Sequence, residues 1–149
     1  MVTPLTAAAT LLFLLAFGPL PEEMGWRGYA LDPLQVAYGP LTAAMLLGAV
    51  HALWHLPLFF IEDSFQYRLG VFTPGFWRFM VSVVVISVII SWAFNLTGHS
   101  ILSAVLLHWA ENASGELFDL QEAAQWCRLG LYILLAVALV IITKGRLGT

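Results

Sequence analysis

Charge is scarce in this sequence. Of its 149 residues, 10% are Asp, Glu, Lys or Arg, against about 25% in a soluble domain. Hydrophobic residues make up 60%, and the mean hydropathy is +0.87. So little charge cannot cover the surface of a water-soluble globule, and that class is excluded. Basic residues are the scarcer sign: six Lys/Arg against nine Asp/Glu leave a net charge of −3. With no basic stripe, nucleic acid is not an expected partner. Cysteine is nearly absent. Cys127 alone excludes an internal disulfide and any multi-cysteine metal site. A basic n-region and an A-x-A cleavage site are also missing at the N-terminus, so its apolar run reads as a helix that stays rather than a signal peptide.

What is there is long apolar sequence. No charged residue occurs from Met1 to Pro21, from Pro33 to Ile61, from Phe79 to Ala110 or from Leu129 to Thr143. A bilayer core takes about 20 apolar residues per helix. The third stretch is long enough to be divided, and Asn95-Leu96-Thr97-Gly98 supplies the turn. The expectation is an all-α, polytopic membrane protein: one domain, 1–149, of about five transmembrane helices. The first starts near Ala7 and continues, kinked at Pro19 or Pro21, to about Leu31, with Asp32-Pro33 as its terminus. The others run from about Leu41 to Ile61, Trp77 to Phe94, His99 to Leu117 and Arg128 to Thr143. The last is short, so Arg128 and Lys144 are expected to snorkel from its ends. Glu62 to Gly75 reads as a charged loop, and Phe118 to Trp126 as a polar, interfacial segment. Three basic residues fall on each side, so the positive-inside rule gives no orientation.

Against this apolar background the polar residues stand out, because an ionisable group in a bilayer costs a few kcal/mol and persists when paired. They come at helical spacing. Glu23 and Arg27 are four apart, with Glu22 adjacent. His51 and His55 are four apart. His108 and Asn112 are four apart, with Glu111 between them. A spacing of four places both members on one helix face. Counting 1.5 Å per residue from the helix ends puts Glu22, His55 and His108 at one level. Turning all three faces inward makes one polar intramembrane pocket. Its chemistry is that of amide hydrolysis. A Glu with a His can activate water. A second His with an Asn can stabilise the oxyanion. Singly, each group has a plainer role: Glu23–Arg27 as a buried ion pair, His51 or His99 as packing residues, Asn112 as a helix–helix hydrogen bond.

The run Glu22-Glu23-Met24-Gly25-Trp26-Arg27 resembles the EExxxR motif of the CAAX-protease and bacteriocin-processing (CPBP, or Abi) family of intramembrane proteases. His51-Ala52-Leu53-Trp54-His55 resembles its second motif, and His108-Trp109-Ala110-Glu111-Asn112 its third, HxxxN. The resemblance spans roughly Phe17 to Gly115. It implies an integral, multi-pass protein of a bacterial or archaeal cell membrane that hydrolyses a peptide bond within the bilayer. The substrate is then a membrane-associated peptide or lipidated protein, in the prenyl-protein members a CAAX tail. By the same resemblance Glu22 and His55 activate water, His108 and Asn112 form the oxyanion site, and Glu23 and Arg27 order the first motif. The family more often has an aromatic residue at the position of His51, and further helices before the first motif.

A zinc ion takes about three protein ligands, and Glu22, His51, His55 and His108 are the candidates. HExxH is absent, since position 52 is Ala, and Asn112 suits an oxyanion better than zinc. The expectation is therefore a mechanism that requires no cofactor, with zinc as the alternative. Two other readings stay open. The polar groups suit a proton or metal relay, or a membrane scaffold, although no internal repeat supports a transporter. A rhomboid-type serine protease has less support, since no GxSG occurs.

Overall fold

A computed structural model describes residues 4–118 and 120–149. Met1 to Thr3, and Asp119 of the interfacial segment, lie outside the described residues. The described residues are helical wherever they are regular. In chain order the elements are α1 (Pro4–Phe17), α2 (Pro19–Gly25), a π-helical segment (Trp26–Leu31), α3 (Asp32–Tyr38), α4 (Pro40–Trp54), a 3-10 turn (Leu56–Phe60), α5 (Phe65–Leu69), α6 (Pro74–Leu96), α7 (Ile101–Leu117) and α8 (Glu122–Thr143).

The first helix is longer than the sequence suggested. α1 to α3 follow one another almost without a break, and Leu5–Tyr38 forms a 34-residue span. Asp32-Pro33 does not stop it. Asp32 stays right-handed helical (φ −62°, ψ −47°), and the widened π turn before it absorbs the step. Pro33 then serves as a first-turn residue of α3, where its missing N–H costs no hydrogen bond. The helix ends instead at Gly39, whose φ of +79° and ψ of 160° suit glycine alone.

Among the described residues, four helical spans are long and apolar enough to cross a membrane: Leu5–Tyr38, Pro40–Phe60, Pro74–Leu96 and Glu122–Thr143. The expected fifth, α7, has 17 residues, about 26 Å at 1.5 Å each, and carries Glu111 and Glu116. It starts only after the tight reversal at Gly98 and His99, both at positive φ. α6 begins earlier than expected because Thr73 caps it, its hydroxyl accepting from Phe76 N–H at 3.1 Å. α8 also begins earlier, at Glu122, which moves Arg128 off the helix end. It does not snorkel; it turns inward to Glu111. The Glu62–Gly75 loop contains the short helix α5.

The most intimate packing is between α4 and α6. A Cβ on Gly48 would meet Ser87 Cβ at 2.8 Å and Val84 Cα at 2.9 Å, so the helices approach at backbone distance. Ala44 and Gly48, four apart, form the small-residue stripe that permits it. Two apolar clusters follow: Leu31, Ala43, Leu47 and Phe94 on one side, Ala44, Val88, Ala136 and Leu147 on the other. An amide pair locks α3 to α6, with Asn95 Nδ2 donating to Gln35 Oε1 at 2.7 Å and Gln35 Nε2 donating back at 3.1 Å. Outside these contacts the helices show apolar side chains such as Leu5, Phe13, Leu131 and Ile142, the surface a lipid environment satisfies.

Candidate active site

The polar faces of the first span, α4 and α7 do converge. Glu23 and Arg27 lie one turn apart, and both are sealed, at 0% and 1% exposure. Arg27 Nη1 donates to both Glu23 oxygens at 2.9 Å. Its Nη2 donates to Ser87 Oγ at 2.8 Å and to Ser87 O at 3.1 Å, across to α6. Ser87 Oγ in turn donates to Ala44 O of α4 at 3.0 Å. A buried cation is costly unless its donors are used; here both Nη atoms are bonded and Nε alone lacks an acceptor, and the close α4–α6 contact at Gly48 brings Ser87 to Arg27.

Glu23 also accepts from Nδ1–H of His108 at 2.7 Å. That bond fixes the ring of α7, since a carboxylate already held by Arg27 is an acceptor only. His108 Nε2 then faces Glu22, 3.9 Å from its Oε2. The partner of Glu22 is a residue the sequence treated as secondary. His51 Nε2 lies 2.9 Å from Glu22 Oε2, and the Trp26 ring packs on the same imidazole with centroids 4.9 Å apart.

His55 owes its orientation to the end of α4. Pro57 cannot continue the α-helical ladder, and the last turn tightens so that His55 N–H goes to Ala52 O at 3.2 Å. The carbonyl of His51 takes Nδ1–H of His55 at 2.9 Å. A carbonyl accepts only, so the proton of neutral His55 is on Nδ1 and Nε2 carries a free lone pair. One ligand atom each from Glu22, His51 and His55 lie within 4.8 Å of one another. Two imidazoles and a carboxylate, one imidazole oriented through its other nitrogen, fit a divalent cation such as zinc. His108, the fourth zinc candidate, is outside that set.

These groups open on a cavity of about 480 Å³. Glu22, His55, His108 and Asn112 line it, with apolar walls that include Leu14, Phe79 and Ile86. The Asn112 amide makes no hydrogen bond among the described residues, so its donors are free. Gly18 faces it: a Cβ there would sit in ordinary contact, 3.6 Å from Asn112 Nδ2.

The type II CAAX prenyl endopeptidase Rce1-like family profile matches residues 4–114, a stretch that holds every residue of this site. The chain belongs to that family. The CAAX prenyl protease 2 of Methanococcus maripaludis is 35% identical over 136 residues, which is 89% of this chain and 49% of that protein. The chain thus spans about half the length of the curated relative it matches. Family and apolar spans together make it an integral, multi-pass membrane protein.

Two parts of the site escaped the sequence. Ser87 sits in the uncharged run of α6, one of three serines there, and its only advance signal was the Ala44–Gly48 stripe on the facing helix. His51 was legible as a position but not as the partner of Glu22, because helical spacing tells which residues share a face and not which one a second helix meets.

Proposed function

We propose that this chain carries the catalytic centre of an intramembrane endopeptidase acting on a membrane-associated, prenylated CAAX-type substrate. The observation that carries the reading is the meeting of Glu22, His51, His55 and His108 at one end of a cavity between membrane helices. The name of the Methanococcus relative supports the substrate class.

In this reading Glu22, aligned by His51, takes a proton from water as the water oxygen attacks the scissile carbonyl carbon. The free Nε2 of His55 accepts a hydrogen bond from the O–H that the water keeps and sets its direction. Charge develops on the carbonyl oxygen. His108, its Nδ1–H held by Glu23, presents Nε2 to that oxygen and as an imidazolium would give it Nε2–H, and the free Asn112 amide donates beside it. Glu22 then returns its proton to the leaving nitrogen, the C–N bond breaks and the oxyanion collapses to a carboxyl group. Glu23 and Arg27 touch no reacting atom; they hold His108. No metal is required by these steps. Glu22, His51 and His55 would hold zinc if it bound, and zinc would supply Lewis-acid activation of the water.

The test is cleavage of a farnesylated CAAX peptide by the protein in proteoliposomes. Glu22→Ala, His55→Ala and His108→Ala should each abolish cleavage while the fold survives. Full activity in any one removes that residue from the mechanism. Proton or metal flux without cleavage in the same vesicles would favour the relay reading.

A further inference from the structure

The cavity has a second polar region that the catalytic steps leave unused, and it is basic. Arg68, Arg78 and Arg128 all line it. Arg128, in α8, has a partial partner, with Nη2 3.9 Å from Glu111 Oε1; its Nη1 is buried without an acceptor. Glu116 lines the same cavity but pairs with none of the three. Arg78, near the start of α6, forms no ion pair among the described residues, although Glu122 of α8 is near enough to act on its charge. Only 7% of it is exposed. Its guanidinium lies over the Trp126 ring at 5.9 Å, and its Nε is buried with no acceptor. A buried guanidinium with unused donors is costly unless an anion completes it. A stacked, fork-shaped donor set is the shape that takes a carboxylate in two parallel bonds. Snorkelling does not account for it, because a snorkelling side chain keeps its charged head in water.

The position suits a substrate end. Phe79, the next residue, packs its ring edge-on against His55 with centroids 5.2 Å apart. Glu111, beside Arg128, is one helical turn beyond His108, about 4.5 Å along the axis. A peptide residue spans about 3.3 Å, so the basic region lies within a few residues of the bond being cut. On the endopeptidase reading, on which this inference rests, we propose that Arg78, with Arg128 beside it, binds the free C-terminal carboxylate of the peptide substrate. The subsite would thus recognise a chain end and place the scissile bond at Glu22 by counting from it.

The experiment compares acid with amide. The full chain in nanodiscs is titrated by calorimetry with a hydrophobic tripeptide as the free acid and as its C-terminal amide. In parallel, a farnesylated tetrapeptide acid and its amide are assayed for cleavage. The expected wild-type result is about tenfold or more in favour of the acid, in affinity and in kcat/KM, as fits loss of a charged hydrogen-bond pair. Arg78→Gln should bring the ratio to about one, and Arg78→Lys should leave it in between. Equal affinity of acid and amide for the wild type, or binding of neither, overturns the subsite even if the variants do not fold. A wild-type ratio near one, together with phosphatidylglycerol binding that Arg78→Gln removes, would assign the cluster to lipid headgroups and overturn it too. Acid preference in binding with no cleavage of either tetrapeptide would sink the endopeptidase reading while the carboxylate site stands.

Discussion

His108 Nδ1 donates to Glu23 Oε1 at 2.7 Å across 85 positions of sequence. The same oxygen accepts from Arg27 Nη1 at 2.9 Å. One carboxylate therefore anchors the guanidinium that ties the first span to α6 and the imidazole that α7 brings to the cavity. Stability and site geometry share an atom, so their mutational effects should be coupled.

Replacing Glu23 should show that coupling. Glu23→Ala leaves Arg27 buried and uncompensated, and breaking one partner of a buried pair costs about 3–5 kcal/mol. The thermal midpoint in detergent should fall sharply. Glu23→Gln keeps the shape and removes the charge, so it should unfold at an intermediate temperature, yet lose most cleavage because His108 loses its anionic partner. An unchanged midpoint in Glu23→Ala would mean that this network does not hold the helices.

Gly48 tests the helix contact behind the network. A Cβ there would lie 2.8 Å from Ser87 Cβ and 2.9 Å from the Val84 backbone, so α6 must shift. Gly48→Ala should destabilise by about 1–3 kcal/mol, the usual cost of overpacking, and should reduce activity by pulling Ser87 off Arg27. Gly130→Ala is the control. Nothing lies within 4 Å of its added methyl, and alanine is the better helix former by up to about 1 kcal/mol. The two variants should therefore move the denaturation midpoint in opposite directions.

Which helices exist, and which face of each is polar, could be read from the sequence because both are local. The charge gaps located the spans, though not their ends, and the fourfold spacings of Glu23/Arg27, His51/His55 and His108/Asn112 gave the faces. Pairings between helices are not local. Nothing in the spacing says that Glu22 meets His51 at 2.9 Å or that Arg27 reaches Ser87. Those follow from how closely α4 and α6 approach, which two small residues decide. The Asp32-Pro33 terminus failed for a related reason. Proline's preference against a preceding helical residue is a bias and not a bar. Packing of Leu31 into the core with Leu47 and Phe94, and the Gln35–Asn95 amide pair beyond it, outweigh that bias and carry the helix through.

His51 separates a positioning role from a catalytic one. Its ring touches Glu22 and no reacting atom, so His51→Phe, which fills the same space against Trp26, should lower kcat by about 10–100-fold and leave KM unchanged. Glu22→Gln removes the base itself and should cost about 10²–10⁴-fold. Equal losses in the two variants, or a His51→Phe loss confined to KM, would place His51 among the groups that contact substrate.

Metal dependence gives the sharpest division, because Glu22 cannot be a free general base and a zinc ligand at once. With Glu22 as base, cleavage should survive exhaustive dialysis against a chelator. Added zinc should then inhibit, by occupying Glu22, His51 and His55, whose ligand atoms lie within 4.8 Å. His55→Ala would remove one of three ligands, and zinc content measured on that variant should fall accordingly. A loss of tenfold or more on chelation, restored by one zinc per chain, would transfer water activation from Glu22 to the metal. His108 and Asn112 would keep their place at the oxyanion in either case, because neither belongs to the metal-binding trio.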